Sequence, residues 1–157
     1  MSTNIVFFDT ETTGANPAEA KIVELGYVVT DENLEVLNSW STLVDPEVPI
    51  PADAAGVHHI TDEDVYNAPT LAQIGPACLA PLQQPGVILV AHNAPFDLQV
   101  AANLLPREYE SIDTLQLAKR YIPDAPNHKL GTLMYHCKLT VRKNTHSAAE
   151  DCMICRD

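Results

Sequence analysis

The run Asn4-Ile5-Val6-Phe7-Phe8-Asp9-Thr10-Glu11-Thr12-Thr13-Gly14 joins two signals. Asn4 to Asp9 is short and mostly apolar, the pattern of a strand covered on both faces. Asp9 and Glu11 stand at its end, and because successive side chains on a strand alternate, the two point the same way. Two carboxylates forced together repel, whereas a divalent cation between them removes that repulsion and supplies a Lewis acid. Gly14 lets the chain turn sharply and lets a ligand approach the backbone. A D-x-E pair is also an ordinary solvated strand end, so this run alone leaves both readings open.

Outward from it, Ile22 to Thr30 and Leu34 to Val44 read as two strands joined by a turn at Asp31-Glu32-Asn33. Pro46, Pro49 and Pro51 then predict an irregular connection before a short helix opening at Thr61-Asp62-Glu63-Asp64. Thr70-Leu71-Ala72-Gln73 has capping-box spacing and predicts a longer helix, interrupted or delayed by Gly75-Pro76. Val87 to Ala91 reads as a buried strand, and Pro95 suits the first position of a helix carrying Phe96, Asp97, Val100, Ala101 and Leu104. A brief strand around Ser111 and Ile112, helices from Thr114 to Tyr121 and Leu130 to His136, and a last helix from Ser147 complete the pattern. Three early strands followed by alternating helix and strand predict a mixed α/β sheet flanked by helices.

The 157 residues, 46% apolar and 19% charged, fit one globular domain over 1–157, and no repeat or linker divides them. Apolar runs such as Gly86 to Ala91 are far shorter than the roughly 20 residues needed to cross a bilayer, so no membrane association is expected. The N-terminus has no basic region before its apolar run, and Cys78, Cys137, Cys152 and Cys155 do not make a secreted disulfide framework. A cytoplasmic protein is expected.

Two further segments carry chemistry. His92-Asn93-Ala94-Pro95-Phe96-Asp97 follows the buried strand directly, placing Asp97 in a first helical turn where the backbone dipole favours a negative charge. Simple capping by Asn93 and Asp97 is the plainer alternative. In His146-Ser147-Ala148-Ala149-Glu150-Asp151, Ser147 and Glu150 have capping-box spacing, which leaves His146 on a loop and Asp151 one turn into the helix. A loop imidazole beside a helix-borne carboxylate suits a general base near a metal ligand, and a surface histidine before a capped helix is the plainer reading.

Taken together, the three segments resemble the exonuclease motifs of the DnaQ-like superfamily, in its DEDDh branch because the third reads His-x-Ala-x-x-Asp. Val57-His58-His59-Ile60-Thr61 resembles the VHGIT segment of that family, with His59 where glycine is usual, and Ser111 to Leu115 and Leu130 to Leu133 fall in register. Proofreading subunits and exodeoxyribonuclease X-like enzymes resemble it most. The resemblance implies a ribonuclease H-like fold, a mixed five-stranded sheet flanked by helices. It also implies a 3′-to-5′ exonuclease that uses a two-metal mechanism to release nucleoside 5′-monophosphates from DNA ends. Asp9, Glu11, Asp97 and Asp151 would hold two Mg²⁺ or Mn²⁺ ions, with His146 as general base. Thr12, Thr13, Gly14, Ala15, Val57, His58, Asn93 and Phe96 would surround the terminal nucleotide, with Arg142 and Lys143 on phosphates. A polymerase or repair partner is implied in kind, while oligomeric state is not.

A net charge of −12 runs against phosphate binding. Eight of the nine basic residues (Arg107, Lys119, Arg120, Lys129, Lys138, Arg142, Lys143, Arg156) nevertheless lie after residue 106, so the back third is the expected phosphate-facing surface. Only six residues follow Asp151, fewer than the resembling family carries there, so the last helix is expected to be cut short. Cys152-Met153-Ile154-Cys155 has C-x-x-C spacing without a second pair, which favours two partly buried thiols over a zinc site. An exoribonuclease or oligoribonuclease of the same fold, or a non-catalytic nucleic-acid-binding module, would share the pattern. The module reading expects a lost acid or histidine, and the sequence retains all five positions.

Overall fold

The computed structural model describes residues 4–141 and 147–157. Five strands, β1 (Ile5–Thr12), β2 (Ile22–Thr30), β3 (Val36–Leu43), β4 (Ile88–Ala91) and β5 (Glu110–Asp113), form one sheet in the order β3-β2-β1-β4-β5. The first three strands pair antiparallel, while β1–β4 and β4–β5 are parallel, which gives the mixed sheet that the sequence predicted. The described helices are α1 (Ala52–His58), α2 (Asp62–Val65), α3 (Pro76–Leu79), α4 (Ala94–Val100), α5 (Thr114–Tyr121), α6 (Leu130–His136) and α7 (Ala148–Arg156). Among them, none is long and apolar enough to cross a membrane.

Strand alternation divides the core between the two faces of the sheet. Val6 and Phe8 of β1 join Leu25, Leu82 and Leu89 in the larger cluster. Phe7, one residue out of phase, packs on the other face with Val28, Val90 and Cys152 of α7. Asp9 and Glu11 share the parity of Phe7, so α7 covers the face from which both carboxylates project.

Several expectations need correction. β1 runs three residues past Asp9, because antiparallel pairing with β2 continues through Glu11↔Glu24 to a bulge at Thr12. The proline-rich segment is not wholly irregular: Pro51, at φ −63°, supplies the N-cap of α1, a helix the sequence reading missed. His59 ends α1 at φ +62°, the left-handed conformation that explains why glycine suits this position. The capping box at Thr70 forms but opens only one 3₁₀ turn, Leu71–Gln73, since Gly75-Pro76 and then Pro81 stop a longer helix. Pro95 is the second residue of α4, whose N-cap is Asn93 at φ +71°, and Leu104 lies in a separate 3₁₀ turn, Ala102–Leu104. Ser147 stands just before α7 without a capping hydrogen bond from its side chain. Instead, the Ala148 N–H donates to Glu24 Oε2 of β2 at 3.1 Å.

Leu89 is wholly buried on β4 and pairs with Val6 of β1, so it anchors the sheet beneath the acidic strand. Leu89→Ala is expected to cost about 2–5 kcal/mol, read as a lower urea midpoint. A loss under about 1 kcal/mol would show that this junction is not tightly packed.

Candidate active site

Three elements deliver the acids. Asp9 and Glu11 project from one face of β1, and Asp151, one turn into α7, is laid over that face. One carboxylate oxygen from each lies within 4.8 Å of the others. Asp97 enters from the first turn of α4 and is 3% exposed. Its Oδ1 accepts from the Thr10 backbone N–H at 3.0 Å and from the Thr10 hydroxyl at 2.7 Å, which ties α4 to the strand between the two β1 acids. Simple capping therefore does not account for Asp97, nor does Asn93 cap α4 with its side chain.

Such crowding has an electrostatic cost. Burial first, then the neighbouring charges of Asp97, Glu11, Asp151 and Glu24, hold the Asp9 carboxyl well above the usual range. Asp9 Oδ2 is buried and has no hydrogen-bond partner among the described residues. Burial, with Asp151, Glu24 and Asp97, pushes Glu11 to about 8. Burial lifts Asp97 to about 6 despite its two bonds from Thr10. An orphaned buried oxygen amid mutually repelling carboxylates is the environment that a hard divalent cation satisfies, so the residues present fit the implied metals.

A cleft of about 590 Å³ opens beside this cluster. Glu11, Thr12, Gly14 and Ala15 line one part, and Val57, His58, Asn93 and Phe96 another. Asp53 and Ala54 of α1 also line it and were not anticipated, because the helix that carries them was missed. Thr13 is not among the lining residues: its N–H donates to the Lys21 carbonyl and its hydroxyl accepts from the Lys21 N–H. His58 accepts from the Ile60 N–H at Nδ1, which leaves Nε2 to donate to the Thr12 carbonyl at 3.1 Å and pin the end of β1. Asn93 is held in its left-handed turn by Asp113, whose Oδ1 accepts from the Asn93 and Leu115 amides.

His146, Arg142 and Lys143 lie outside the described residues. Among the described residues, neither Lys nor Arg lines the cleft. Lys119 and Lys129 border a separate cavity with His128, and Arg156 pairs with Asp157, so these parts of the basic back third do not face the acids. Cys152 and Cys155 are free thiols. Burial pushes Cys155 to about 12. Glu24 was also missed, although one acid inside the otherwise uncharged run Ile22–Thr30 was a readable signal.

The raised carboxyls fix a sign. Asp9, Glu11 and Asp97 keep protons in the folded chain at pH values where the unfolded chain has released them. The folded state then binds more protons, and stability falls as pH rises. In EDTA, thermal unfolding is expected at lower temperature as pH climbs from about 4, where unfolded carboxylates titrate, through about 6 for Asp97 and about 8 for Glu11. Added Mg²⁺ or Mn²⁺ should raise the midpoint more at the alkaline end. A metal-free profile that is flat, or that rises with pH, would contradict this.

Comparison with known proteins agrees with the geometry. The family described as Exonuclease (RNase_T) matches residues 6–156. DNA polymerase III subunit epsilon of Treponema pallidum (strain Nichols) is 33% identical over 96% of this chain and 72% of that protein. A DNA polymerase III PolC-type protein of Clostridium perfringens (strain 13 / Type A) is 34% identical over 93% of this chain, which spans only 10% of that longer protein. A solved structure of exonuclease X in complex with 5′ overhanging duplex DNA superposes with a TM-score of 0.77 at 31% identity, covering 97% of this chain and 86% of that one. A match that runs over nearly the whole chain, shared by relatives and structure alike, means that this chain belongs to the DnaQ-like family of 3′-to-5′ exonucleases, hydrolases of phosphodiester bonds.

Proposed function

We propose that the chain trims DNA from its 3′ end, releasing nucleoside 5′-monophosphates with two divalent cations, Mg²⁺ or Mn²⁺, held by Asp9, Glu11, Asp97 and Asp151. The observation that carries this reading is the close set of Asp9, Glu11 and Asp151 oxygens, with a buried oxygen on Asp9 that has no hydrogen-bond partner among the described residues. Bound there, the cations would lower the pKa of the attacking water, stabilise the leaving 3′ oxygen and offset charge on the phosphate. The chain's own residues do the rest. His146 accepts the proton of the water, a role that suits imidazole chemistry at neutral pH in general. Thr10 holds Asp97 in place through both of its hydrogen bonds.

Thr12, Gly14, Ala15, Val57, His58, Asn93 and Phe96 enclose the terminal nucleotide by shape and stacking, which every base offers, so digestion is indifferent to sequence. Thr13, adjacent to Thr12 in the sequence, belongs to the same set. Arg142 and Lys143 contact phosphates. DNA is favoured over RNA because one relative is a DNA polymerase III subunit and the exonuclease X structure holds duplex DNA. The same relatives support a polymerase or repair partner and a cytoplasmic setting. One exonuclease domain over 1–157 completes the proposal.

Digestion of 3′-labelled single-stranded DNA, duplex DNA and RNA with Mg²⁺, Mn²⁺ or EDTA tests it. Cleavage of DNA should require metal, vanish in Asp9→Ala and fall about 10²–10⁴-fold in His146→Ala. Cleavage in EDTA, or undiminished activity in Asp9→Ala, would overturn the mechanism, and preference for RNA would overturn the substrate.

A further inference from the structure

Glu24 is the acid that this mechanism does not use. It sits in β2, a strand buried at all nine positions, and is itself 8% exposed. Its cross-strand partner is Glu11, and like charges directly opposite destabilise a sheet. A buried carboxylate in such a place needs a compensating partner, and α7 supplies it. The Ala148 N–H donates to Glu24 Oε2 at 3.1 Å, and the Ser147 hydroxyl also donates to this carboxylate. A negative group at the first turn complements the exposed amides of a helix start.

Two residues along, Gly26 stands opposite Asp9 and makes the close approach possible. A Cβ there would meet Ala149 N at 2.8 Å and both the carbonyl carbon and Cβ of Ala148 at 2.9 Å. One turn deeper, Cys152 Sγ donates to the Gly26 carbonyl at 3.5 Å. The first turn of α7 is thus held on β2 at Glu24 and again at Gly26, and Asp151 lies between those two attachments, with its N–H on the Ser147 carbonyl at 3.0 Å.

We propose that Glu24 is a positioning residue: by accepting from the first turn of α7 above Gly26, it seats Asp151 against Asp9 and Glu11. This rests on the metal-dependent reading above. Glu24 acts as an acceptor of the correct length, not as a ligand. Oriented outer groups of this kind typically change metal affinity or turnover 10- to 100-fold when lost.

The test uses E24Q, E24D, E24A and G26A, with kcat and KM on a labelled oligonucleotide and Mn²⁺ binding followed by electron paramagnetic resonance. E24Q keeps an oxygen at the same reach and should retain most of kcat and Mn²⁺ affinity. E24D keeps the charge but falls one methylene short, and should lose about 10- to 100-fold in kcat and in Mn²⁺ affinity with KM little changed. G26A, which forces α7 away while leaving Glu24 intact, should show the same loss, as should E24A if it folds. The opposite order, E24D active and E24Q impaired, would mean that charge rather than seating matters and would overturn the proposal, as would wild-type behaviour in both E24D and G26A. A wild-type chain that neither cleaves nor binds Mn²⁺ would instead sink the underlying functional reading.

Discussion

Repulsion among buried carboxylates is the constraint to which the rest of the molecule answers. Asp9, Glu11, Asp97 and Asp151 come from residues up to 142 positions apart (151 − 9), and nothing local holds them together. Their assembly is enforced by apolar packing on both faces of the sheet: Phe8 on one side and Phe7 on the other fix the strand from which Asp9 and Glu11 project. Folding energy gained in those clusters offsets the desolvation of the acids, and a bound cation would add positive charge where Asp9 Oδ2 has no donor among the described residues.

Topology explains why this site lies where it does. β1 is the central strand, with an antiparallel partner on one side and a parallel partner on the other. The connection from β4 into α4 brings Asp97 to Thr10, while α7 crosses the opposite part of β1 and β2 with Asp151. Asn93, in a left-handed conformation under the carboxylate of Asp113, sets the turn from which α4 departs. Asp113 at the end of β5 therefore contributes to the site by accepting from backbone amides rather than by lining the cleft.

Much of this was legible in the sequence wherever the determining interactions are local. The limits of β2, α5 and α6 read correctly, because their signals are apolar patterning, Asp31 turn chemistry and Pro123. The alternation of Asp9 and Glu11 and the placement of Asp151 one turn into a helix follow from period alone. What failed depended on distance. Thr10 to Thr12 look like loop residues but are strand, since pairing with β2 continues past the apolar run. Asp53 was hidden in a helix masked by prolines. Glu24 meets Ala148 across 124 residues, a contact that no windowed pattern contains. His146 is legible only as sequence, lying outside the described residues.

The central claim is that these carboxylates exist to hold divalent cations. The most direct measurement is anomalous diffraction from crystals of the chain grown with Mn²⁺. The account requires a strong peak at ordinary coordination distance, about 2.1 Å, from Asp9 Oδ2, shared with Glu11 or Asp151, and a second peak within the same acidic set. An empty cluster at saturating Mn²⁺, with Asp9 Oδ2 instead bonded to water or protein, would contradict it.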